Sequence, residues 1–137
     1  MIFDVFSDLN WLAVLIAAAA YFVLGAIWYS NVLFGRQYRA ALGQPDEAAT
    51  PPVAALTVNF VGWFVAAIAL GLISSAIGAD SVWDGVVLGL VVAVGFIATA
   101  RVVDQFYGAG NPKLMPINGP YTLIGYALMG AILAAMS

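Results

Sequence analysis

Residues 9–29 read LNWLAVLIAAAAYFVLGAIWY, an apolar and aromatic run with one amide and no charge. At ~1.5 Å per helical residue, such a run covers about 30 Å, the thickness of the hydrocarbon core of a bilayer. Three further stretches reach a similar length, over about 53–77, 82–106 and 116–136. The expected fold is all-α and integral to a membrane: a single domain, residues 1–137, built as an up-and-down bundle of four transmembrane helices. Composition points the same way. The chain is 64% hydrophobic and 8% charged, against about 25% charged in soluble domains. A soluble chain of this length buries only roughly two-thirds of the surface its unfolded form exposes, so the excess apolar surface needs lipid around it.

The joints between spans carry breakers. Gly43, Gln44, Pro45, Asp46 and Glu47, then Pro51 and Pro52, separate the first two spans. Asp80 to Asp84 forms a short turn before the third, with Asp80 or Ser81 available to cap it by accepting a backbone N–H. Gly108 to Lys113 separates the third from the fourth, whose first turns hold Pro116 and Pro120. Between Leu33 and Leu42 the apolar residues recur at near-helical spacing around Arg36 and Arg39; this fits either an interfacial helix or an ordered loop. Asp8-Leu-Asn-Trp11 and Asp80-Ser-Val-Trp83 are candidates for the start of an internal repeat.

Basic residues in short loops set orientation. Arg36, Arg39 and Lys113 fall in the first and third loops, whereas the N-terminal segment, the second loop and the C-terminus carry none. Both termini are therefore expected outside the cytoplasm, in a multi-pass protein of the cell membrane. Residues 1–8 hold Asp4 and Asp8 and no Lys or Arg, unlike the positive opening of a cleaved signal, so the first span is expected to be retained. Trp11, Trp28, Tyr29, Trp83 and Tyr107 mark the membrane interfaces.

Several functions are poorly served. A net charge of −3 with four basic residues gives no phosphate-binding surface for nucleic acid. With no His and no Cys, the commonest general base, metal ligand and thiol nucleophile are missing. No serine sits in a nucleophile motif, and no phosphate loop or dinucleotide fingerprint occurs. Asp80 and Asp84 alone make a poor metal site. No cofactor, no metal and no enzymatic activity are expected; the alternative, a membrane enzyme acting on lipid, would need a reactive residue set that none of these motifs supplies.

Charged side chains inside a bilayer are costly and call for a reason. The third span contains Arg101 and Asp104, three residues apart and able to pair on one helix face. With the orientation above, Asn59, Asn118 and Tyr121 lie at a similar level, with Thr57, Tyr29, Ser30 and Thr122 nearby. Two readings stand side by side. Arg101, Asp104, Asn59, Asn118 and Tyr121 form a cytoplasmic-side pocket for a small solute, ion or lipid, or they bond the helices to one another. The outer half holds little beyond Tyr21, Ser74 and Ser75. Gly85, Gly89, Gly95, Gly62 and Gly125 are expected to let helices approach closely, within the bundle or between protomers, and Tyr21, Gly25 and Trp28 to form a packing face.

Leu9-Asn-Trp-Leu-Ala-Val14, Gly25-Ala-Ile-Trp-Tyr-Ser30 and Leu33-Phe-Gly35 resemble the opening signature of a bacterial membrane-protein family, domain of unknown function 1761. Asp84-Gly85, Gly95-Phe96, Phe106 and Tyr126 through Leu133 continue the pattern, so the resemblance covers nearly the whole chain. It implies a short four-helix membrane protein and carries no activity and no site residues. The functional expectation is a small non-enzymatic membrane protein acting at the polar cluster, or else an accessory subunit of a larger membrane complex. Its expected partners are the lipid bilayer, further copies of itself and another membrane protein, with no nucleic acid.

Overall fold

The computed structural model describes residues 9–30, 33, 37, 40, 53–108 and 115–136. Among these the chain is entirely helical: α1 (Trp11–Trp28), α2 (Val53–Ile77), α3 (Val82–Val92), a π-helical segment (Ala93–Ala98), α4 (Thr99–Phe106) and α5 (Met115–Ala135). α3, the π segment and α4 continue into one another as a single span, Val82–Phe106, and four spans are long and apolar enough to cross a membrane. The stretch 33–42 lies, apart from three isolated positions, outside the described residues.

Local chemistry sets the ends of these helices. Asn10 caps α1, its Oδ1 accepting from the Ala13 N–H at 3.1 Å. Its Nδ2 also donates to the Met136 carbonyl at 2.7 Å and ties the start of α1 to the end of α5. α2 closes on Gly78, whose φ of 72° is open to glycine at little cost. The N–H groups of Gly78 and Ala79 then reach back to the carbonyls of Ser75 and Ser74 at 3.2 and 2.9 Å, the paired C-terminal bonds of a Schellman turn. Of the two capping candidates for α3, Ser81 takes the position, its Oγ accepting from the Asp84 N–H at 3.1 Å.

The fourth span is the hub. Half of it is buried (50%), against 28%, 22% and 17% of the first, second and third. α5 packs against α1, α2 and α3, whereas the third span has little contact with anything but α5. Two Tyr-x-x-x-Gly motifs explain how one helix serves several neighbours. Tyr121 and Gly125 face α1, where Tyr21 and Gly25 repeat the motif in the opposite direction. The Tyr21 ring covers Gly125, and a Cβ on Gly25 would lie 2.6 Å from the Tyr121 hydroxyl. The backbone of Tyr126 and Gly130 meets α3, where Gly85 lies against the Gly130 carbonyl and Gly89 against the Tyr126 carbonyl, while the Tyr126 ring turns toward Tyr21. On that side backbone rests on backbone, a close approach open only to small residues.

α1 presents Ala13, Ala17 and Ala18, with Val14 and Tyr21, as its buried face. Large apolar side chains such as Leu12, Val23, Val58, Val65, Val91 and Phe96 point outward, the inverse of a water-soluble bundle. A Cβ at Gly62 or Gly95 would meet nothing within 4 Å, so neither takes part in packing among the described residues.

Candidate functional site

One set of polar side chains gathers at the end of the bundle where α1 finishes and α5 begins. α1 supplies Trp28 and Tyr29 from its last turn and C-cap, and α5 supplies Asn118, Tyr121 and Thr122 from its first turns. The Trp28 indole N–H donates to the Ile117 carbonyl at 3.0 Å, and the Tyr29 hydroxyl donates to Asn118 Oδ1. Arg101 approaches from α4, its Nη1 donating to Thr122 Oγ1 at 2.7 Å. The Thr122 hydroxyl in turn donates to the Asn118 carbonyl at 2.9 Å. One hydroxyl thus accepts from a cation and donates to the backbone, which uses both halves of its hydrogen-bonding capacity.

The expected Arg101–Asp104 pair does not form. Asp104 is exposed, and its carboxylate has no partner among the described residues. The rotation of α4 turns the guanidinium across to α5, where Thr122 Oγ1 holds it, rather than along its own helix. Asn59 is exposed on α2 and is not part of the cluster. Thr122 links Arg101 to the Asn118 carbonyl, and Tyr121 lies at the same end with its ring against Tyr29.

Behind the polar network lies an aromatic stack. Tyr21 is fully buried. Its ring is stacked on Trp63 of α2 at 4.0 Å between centroids and 7° between planes. Tyr121 meets Tyr21 edge-on at 4.9 Å, and Tyr126 does so at 5.7 Å. Tyr29 meets Tyr121 at 5.2 Å and completes a chain of rings toward the helix ends. Edge-on geometry sets the positive ring edge on a negative face. Two polar atoms of the stack, Tyr21 Oη and Trp63 Nε1, are buried without a hydrogen-bond partner. Tyr21 Oη faces Thr122, and Trp63 Nε1 faces the Tyr121 hydroxyl, outside bonding geometry. Arg101 lies within electrostatic reach of Tyr21, Tyr121 and Tyr126.

Sequence reasoning missed Trp63. A tryptophan placed mid-span, away from the interfacial belt, is the signal that would have found it.

At the other end of the bundle a cavity of about 370 Å³ lies among Leu9, Asn10, Gly71, Ser75, Asp80 and Met136. Both ends of the Asn10 amide are already bonded there, which leaves Ser75 and Asp80 as its open polar groups.

Among the described residues, the Arg101 end has no nucleophile next to a base. It has a guanidinium with unused donors beside a hydroxyl, an arrangement suited to holding an acceptor-rich group. No curated protein and no solved structure matches the chain. A family model described as a protein of unknown function (DUF1761) matches residues 12–134, nearly the whole of the bundle just described, and the chain belongs to that family.

Proposed function

We propose that this chain is a small, non-enzymatic, multi-pass protein of the cell membrane that binds or passes a small solute, ion or lipid at the Arg101 cluster. The cluster faces the cytoplasm in this reading, because Arg36, Arg39 and Lys113 belong on that side and both termini then lie outside. One observation carries the proposal: a guanidinium within a membrane-spanning helix bonds a neutral hydroxyl instead of a carboxylate. A charge inside a membrane-spanning segment normally finds an opposite charge, and Asp104 stands three residues away. Leaving the positive charge uncancelled is what an anion site requires. Native mass spectrometry of gently extracted protein tests this. A bound mass is expected on the wild type and absent from Arg101→Met of unchanged helicity. A bare protein in both cases overturns the reading.

A second reading, association with further copies or with a membrane-protein partner, is favoured by Asn59. Its amide lies exposed on α2, beside Gly62, which is open as well. An amide at a helix–helix contact contributes about 0.6–2 kcal/mol in membranes. Asn59→Leu is therefore expected to weaken self-association at least about threefold, measured by sedimentation equilibrium in density-matched detergent. Monomeric wild-type protein, or equal association constants, would remove this role from Asn59.

A further inference from the structure

Resting on the Arg101 reading above, we infer that Arg101 binds the phosphate of an anionic lipid, which reaches it sideways from the bilayer across α4. α4 has no buried residue. Every face of the helix that carries Arg101 is therefore open to its surroundings, and within a membrane-spanning segment those surroundings are lipid. The guanidinium has five N–H donors and no acceptor, and Thr122 takes one of them. The remaining fork matches the oxygens of a phosphate ester, which it can engage with two parallel bonds.

Depth agrees. Arg101 lies about 8 Å along the helix from Phe106 at ~1.5 Å per residue, within reach of the headgroup level for a long snorkelling side chain. The π-helical segment stands between the half of the third span packed on α5 and the half that is not. Thr99 follows it and donates its hydroxyl back to the Gly95 and Phe96 carbonyls at 2.8 and 3.2 Å. π segments and back-bonding threonines both occur where helices bend, and here they mark the boundary between the packed half of the span and exposed α4.

Asp104 lies one turn away on the same helix, without a partner among the described residues, and its carboxylate opposes an anion held at Arg101. That gives the test a sign. Nanodiscs of equal parts phosphatidylcholine and phosphatidylglycerol, analysed by native mass spectrometry, report which lipid the protein retains. The wild type is expected to retain phosphatidylglycerol over phosphatidylcholine by about tenfold. Arg101→Gln is expected to lose that preference, and Asp104→Asn, an exposed substitution that leaves the fold alone, to raise it severalfold. Equal preference in the wild type and Arg101→Gln, or a fall in Asp104→Asn, overturns the inference.

Inorganic phosphate titrated calorimetrically onto the detergent-solubilised protein separates the sources. Arg101-dependent phosphate binding without lipid preference overturns the lipid and keeps the Arg101 pocket. Arg101-independent retention of both probes overturns the lipid and the pocket together.

Discussion

Gly89→Leu will detach the third span from the bundle. A Cβ at Gly89 falls on the Tyr126 carbonyl and lies 2.9 Å from the Ala127 Cα. Neither neighbour is a side chain that can turn away. Ordinary overpacking of a core costs about 1–3 kcal/mol, and a contact of backbone on backbone belongs at the top of that range or above it. An expected loss of about 3 kcal/mol or more corresponds to over a hundredfold in the unfolding constant. Unfolding in dodecylmaltoside titrated with sodium dodecyl sulfate reads this directly. Gly62→Leu is the matched control: its Cβ meets nothing within 4 Å, and a change under about 1 kcal/mol is expected. Equal effects at the two glycines would mean that the third span does not lean on α5 through Gly89.

Tyr21→Ala comes next in size. The ring is wholly buried among Trp63, Tyr121 and Tyr126, and removing a buried aromatic typically costs about 3–5 kcal/mol. Tyr21→Phe separates ring from hydroxyl. The hydroxyl has no hydrogen-bond partner, so its removal is expected to leave stability level or to raise it by up to about 1 kcal/mol. Gly125 supplies the second half of the argument, because a side chain there enters the Tyr21 ring. Gly125→Val should therefore be strongly destabilising alone and partly compensated when combined with Tyr21→Ala. A double-mutant cycle with additive losses would show that the two residues do not share this space.

The parts of the fold governed by one-dimensional chemistry are legible in the sequence. Four long apolar stretches become four helices able to span, and Ser81 caps the third as a hydroxyl before an apolar run should. Glycine contacts are legible only where spacing and facing coincide. Gly85 and Gly89 are four apart and meet a second small-residue motif on α5, whereas Gly62 and Gly95 look similar in sequence and face outward. Nothing along the chain says which side of a uniformly apolar helix will be covered.

The polar site was half legible for the same reason. Depth along the spans brings Arg101, Asn118 and Tyr121 to one level. The choice of Thr122 over Asp104 depends on the tilt and rotation of α4 relative to α5, which no local pattern encodes. Asn59 shares that level but lies exposed on α2, outside the cluster. The duplicated Tyr-x-x-x-Gly of the first and fourth spans was there to be read. Two antiparallel helices carrying that motif can each lay a ring on the other's glycine.

The central position of α5 also bears on how the protein is made. The fourth span leaves the ribosome after the other three, yet it is the helix they all rest against. Until it arrives, Gly85 and Gly89 have no backbone to meet and the Tyr21 ring has no glycine to cover. A nascent chain that stops short of residue 115 holds three inserted helices without the surface that joins the third to the first two. Such an intermediate must be sheltered by the insertion machinery or be open to quality-control proteolysis, and assembly follows in one late step when the fourth helix enters the bilayer.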